Sequence, residues 1–104
     1  LPYLANGDPQ NHWITVFKGN QAGRISTLYP NPTTNTTYLN YQLADKQTAT
    51  LQLYDLTGRQ LQTHNLSGTG TYNLSLGNYP SGIYFCTILV DDVVIKTEKI
   101  VLSR

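Results

Sequence analysis

Charge is scarce in this chain: Asp, Glu, Lys and Arg make up 12% of its 104 residues, seven basic against six acidic, for a net charge of +1. So small a field does not draw a phosphate backbone by counterion release, and no nucleic acid is expected as a partner. Cysteine occurs once, at Cys86, which excludes an internal disulfide. Inside the apolar run from Ile83 to Val90 a lone thiol behaves as a small buried hydrophobe. No apolar stretch approaches the ~20 residues that span a bilayer, so no transmembrane segment is expected, and no segment has the regions of a secretory leader. Methionine is absent, even at the first position, which reads as a fragment or a processed piece of a longer protein.

What the chain does have is fourteen threonines and eight tyrosines among 39% apolar residues, a composition suited to pleated, half-buried surfaces. Its length allows one core. Residues 1–11 are rich in Pro, Asn, Gly and Asp and read as loop; His12 to Phe17 reads as a strand and Lys18 to Gly23 as a polar connector. Residues 1–17 are either a strand of this domain or the tail of whatever precedes it; the division adopted is 1–23 as linker or preceding tail and 24–104 as the domain. Arg24 to Tyr29 predicts an edge strand, ended by Pro30-Asn31-Pro32, because each proline removes an amide donor and restricts its predecessor.

Alternation then predicts strands over Thr37 to Leu43, with Leu39, Tyr41 and Leu43 on one face, and over Thr48 to Leu56, with Ala49, Leu51 and Leu53 inward. Thr57-Gly58 turns the chain into Gln60 to Leu66. Thr71 to Leu76, the central apolar strand Ile83 to Val90, a turn at Asp91-Asp92 and Val93 to Leu102 complete about seven strands from Arg24. No segment keeps helical periodicity. The expectation is an all-β, immunoglobulin-like antiparallel β-sandwich, without the paired cysteines of antibody domains.

The inventory for chemistry is thin. His12 and His64 have no partner at metal-ligand spacing, and His64 is expected on an exposed face opposite Leu61. Cys86 sits in apolar company, where a thiolate is costly. Asp91-Asp92 reads as turn residues, since two adjacent acids cannot supply the six or more oxygens that calcium takes. Asn35, Asn65 and Asn73 open glycosylation sequons that a Thr- and Asn-rich β protein matches by chance. No catalytic residue, metal or cofactor is expected.

Four signatures run in order: Tyr29-Pro30-Asn31-Pro32-Thr33, Leu53-Tyr54-Asp55-Leu56-Thr57-Gly58-Arg59, Ser81-Gly82-Ile83-Tyr84-Phe85 and Lys99-Ile100-Val101. In this order the chain from about Ile25 to Arg104 resembles the C-terminal sorting domains of proteins exported by the type IX secretion system of Bacteroidota. The resemblance implies a non-catalytic address label. It folds after crossing the inner membrane, passes through the periplasm, and is read by the outer-membrane translocon and its shuttle proteins. Its parent reaches the cell surface or the exterior. It also implies removal by a C-terminal-signal peptidase, for which the connector from Lys18 to Arg24 is the natural segment, or retention in a surface component of the machinery.

Carried onto this sequence, the candidate recognition residues are Pro30, Asn31, Pro32, Gly58, Arg59, Gly82, Tyr84, Lys99 and Arg104. Arg59 has two readings: a structural pair with Asp55 across the hairpin, or a fork for a partner's carboxylate or phosphate. Strand addition or edge docking near the terminal strand, where Lys96, Lys99 and Arg104 form a basic margin, is the expected mode of recognition. The rival function is a carbohydrate-binding or adhesion module, with Tyr38, Tyr54, Tyr72 and Tyr84 as a stacking platform and Trp13 as a further aromatic.

Overall fold

The computed structural model describes residues 13–18 and 21–104. Among them are eight strands: β1 (Trp13–Lys18), β2 (Gln21–Ser26), β3 (Thr36–Gln42), β4 (Thr48–Asp55), β5 (Gln60–Ser67), β6 (Thr69–Ser75), β7 (Gly82–Val90) and β8 (Val93–Leu102). They form two four-stranded antiparallel sheets, ordered β1-β2-β3-β6 and β5-β4-β7-β8. The all-β sandwich expected from alternation is the fold, and the seven strands counted from Arg24 are β2 to β8. The loop expected over residues 1–11 and His12 lie outside the described residues.

The core follows the period of two. β4 buries Ala49, Leu51 and Leu53 and turns Thr50 and Gln52 outward, while β3 buries Leu39 and β6 buries Leu74 against them from the other sheet. β7 is the most apolar strand because it lies between β4 and β8. Tyr84, Cys86, Ile88 and Val90 face the core, and Ile83, Phe85 and Leu89 lie on the opposite face. Asp91 and Asp92 turn β7 into β8 with φ of 49° and 68°, the left-handed pair that suits the twist of a two-residue hairpin.

Three details differ from expectation. β2 begins at Gln21 and is not an edge, because β1 pairs along it from Trp13↔Ser26 to Lys18↔Gln21. Val16 of β1 is buried in the core. A fully buried Gln47 latches the strand: its Oε1 accepts the Ala44 amide (2.9 Å) and its Nε2 donates to the Val16 carbonyl (3.4 Å). Second, His64 faces inward. It pairs with Leu51, and its ring lies 4.7 Å from that of Tyr72 across the sandwich. A register shift between Leu53 and Tyr54 puts Gln62, His64 and Leu66 opposite the inward residues of β4, a reversal that strand-local alternation does not reveal.

Third, Lys96 and Glu98 also face inward, opposite the buried Ile88 and Cys86. They pair with each other at 2.9 Å and close the gap to the first sheet: Lys96 Nζ donates to the Ser26 carbonyl, and the Leu28 amide donates to the Glu98 carboxylate. Inward charges of this kind blunt a sheet edge. Lys96 is therefore no part of an exposed basic margin. Burial pushes the Cys86 thiol up to about 12, with Glu98 adding to the effect and Lys96 opposing it.

Candidate functional site

Pairing gathers the four signatures at one end of the second sheet. Asp55 of β4 sits beside Tyr84 of β7, which sits beside Ile100 of β8. Gly82 pairs with Leu102 and Ile83 with Val101. The Pro-Asn-Pro segment reaches this end as a strap running from the end of β2 toward β3. Its Tyr29-Pro30 and Asn31-Pro32 bonds are cis, and Tyr29 bridges to Tyr38 of β3.

The strap explains why an asparagine stands between two prolines. Pro30 and Pro32 have no N–H to offer a neighbouring strand, so the Asn31 side chain takes over the ladder. Its Nδ2 donates to the Lys99 carbonyl (2.6 Å) and its Oδ1 accepts the Val101 amide (3.0 Å). Thr33 continues with its backbone, donating to Val101 O and accepting from Ser103 N, both at 2.9 Å. The outer edge of β8 is thereby covered from Lys99 to Ser103. Docking by strand addition there, the mode expected from sequence, has no free main-chain groups to use.

Arg104 is also committed. Its guanidinium donates to the carbonyls of Leu76 (2.6 Å) and Tyr79, and its amide to Ser81 Oγ (3.2 Å). It clamps the β6–β7 connection. Tyr84 is buried, with its hydroxyl donating to Pro80 O at 2.6 Å, and Tyr79 stacks near it at 5.7 Å. The Arg104 bonds were invisible in the sequence because they join residues 23–28 positions apart.

The hairpin after β4 is built around the Asp55 carboxylate. Asp55 Oδ1 accepts from Thr57 N (3.0 Å), Thr57 Oγ1 (2.6 Å) and Arg59 N (3.0 Å). Its Oδ2 accepts from Arg59 Nε (3.2 Å). These bonds, with the Thr57 hydroxyl foremost, hold the carboxyl below its ordinary pKa. Gly58 supplies the φ of 92° that a side chain makes costly. Arg59 makes the expected structural pair, yet its side chain is 77% exposed and its two terminal nitrogens have no partner among the described residues. Lys99 is exposed as well, on the outward face of β8 opposite Phe85.

The tyrosines form no platform. Tyr38 lies on the outer face of the first sheet and Tyr54 on that of the second, while Tyr72 and Tyr84 face inward. The sugar-binding rival therefore has no support in the fold. No helix among the described residues is long and apolar enough to cross a membrane.

Neither the curated proteins nor the solved structures offer a match. Residues 27–103, about three quarters of the chain, match the family model described as the secretion system C-terminal sorting domain. The four signatures and the sandwich that brings them together thus have one origin: the chain belongs to the C-terminal sorting domains of type IX secretion, signals that direct a protein to the cell surface or the extracellular space.

Proposed function

We propose that this domain acts as a folded, non-catalytic label, read in the periplasm by shuttle proteins and the outer-membrane translocon as its parent moves outward. The observation that carries this reading is the convergence of four signatures, spread over some seventy positions, on one end of one sheet. A linear signal has no need of such convergence; a surface assembled by folding does. Pro30, Asn31, Pro32, Gly82, Tyr84 and Arg104 shape that end, Gly58 sets its turn, and Arg59 and Lys99 present its charge.

The same proposal divides the chain within β2, with residues 1–23 as the join to the parent and 24–104 as the label. A signal peptidase cuts between Lys18 and Arg24. Residues 21–24 are laddered to β1, and proteases need locally unfolded chain, so cleavage follows release of β1. The domain itself performs no reaction.

The test is a periplasmic reporter fused ahead of this chain in a type IX-competent cell. Surface reporter with the chain, and periplasmic reporter without residues 24–104, is the expected pair of results. Equal surface levels in both would end the proposal.

A further inference from the structure

Resting on the reading above, we propose that the groove between the Asp55–Arg59 turn and the start of β7 is the contact point for the secretion machinery, and that it receives an apolar side chain flanked by a carboxylate on a partner protein. The groove measures about 270 Å³ and lies between Leu56 and Thr57 on one side and Gly82, Ile83 and Tyr84 on the other. Leu56 is 67% and Ile83 38% exposed. A single exposed leucine needs no explanation, but these two face one groove and continue along the outward row to Phe85 and Val101. Leu56 makes none of the bonds that set the turn, so the fold does not account for an apolar residue at its tip.

The wall of the groove is preorganised. Four bonds to the Asp55 carboxylate fix the turn before a partner arrives, which lowers the ordering cost of binding. Arg59 uses Nε on Asp55 and leaves its terminal nitrogens facing solvent, a planar fork that suits a carboxylate. Charge points the same way. This end carries Arg59, Lys99 and Arg104 against Asp55, whereas the opposite end sets Asp45, Asp91 and Asp92 against Arg24 and Lys46. An acidic partner is attracted to the signature end in preference to the other. The larger cleft of about 510 Å³ beside Ile14, Phe17 and Val93 lies at that acidic end, away from the signatures.

Two measurements in the reporter fusion test this. Replacing Leu56→Ser with Arg59→Gln should cut surface reporter about tenfold or more, the loss that follows from one unburied leucine and one lost charged pair. Both side chains are exposed, so the melting temperature of the isolated fusion should stay close to the parent's. In parallel, a photo-crosslinking amino acid at position 56 should capture an outer-membrane component of the secretion machinery, while one at position 93, 63% exposed at the opposite end, should not. Parent-like export of the double variant overturns the groove, as does capture from position 93 but not 56. If either occurs while deletion of residues 24–104 still blocks export, the sorting role stands and only the contact point falls; export that survives the deletion removes the sorting role itself.

Discussion

Asn31 and Asp55 show how much one polar side chain organises here. The Asn31 amide is the hydrogen-bonding substitute for two prolines, and Asn31→Ala leaves the Lys99 carbonyl and Val101 amide without it. The expected cost is about 1–3 kcal/mol, read by chemical denaturation; stability equal to the parent's would show that the strap holds without its amide. Asp55 has a folded pKa below its ordinary 3.8, so the folded state favours the ionised carboxylate. Its contribution is present above the unfolded pKa and disappears as pH falls through the folded one. Melting temperature should drop as pH falls below the ordinary carboxylate range, and Asp55→Asn should flatten that drop while lowering stability at neutral pH. The sequence showed which residue types mark these positions. It did not show that Asn31 and Arg104 spend their donors on main-chain carbonyls, because those partners stand 68 and 25–28 positions away.

At the level of elements, alternation was enough to find β3, β4 and β7 and to orient Leu39, Leu51 and Leu53 correctly. It misjudged β5 and β8, where a register shift and an inward ion pair turn His64, Lys96 and Glu98 toward the interior. Both strands are sheet edges, and the rim of a sandwich tolerates polar residues that reach a partner across the gap. β2 looks like an edge in sequence because almost nothing in its own residues announces β1. The exception is Gly23, where an added Cβ would lie 2.4 Å from Gln47 Oε1 and 2.7 Å from the Gln42 carbonyl. Gly23→Ala should therefore displace Gln47 and loosen β1, at about 1–3 kcal/mol. Hydrogen exchange should accelerate in β1 and β2 and stay slow in β4 and β7; uniform protection in the variant would mean that the latch accommodates the methyl group.

For the whole molecule, the two sheets are joined by the shared core and by a few long-range ties: the strap on β8, Lys96 and Glu98 on the 26–28 segment, and Arg104 on the 76–79 turn. Deleting Ser103 and Arg104 removes one backbone bond and the clamp. A loss of about 2 kcal/mol, or roughly 8–16 °C in a domain of this size, is expected in a thermal melt, together with weaker surface delivery of a fused reporter. Unchanged melting would place the stability elsewhere. The strap also has a temporal meaning. Its asparagine cannot close until a strand made nearly seventy residues later has been delivered, so an incompletely synthesised or incompletely translocated copy lacks a finished label. Under the proposed reading, a closed strap reports that the strand from Val93 to Leu102 has arrived, a check written into the order of the strands.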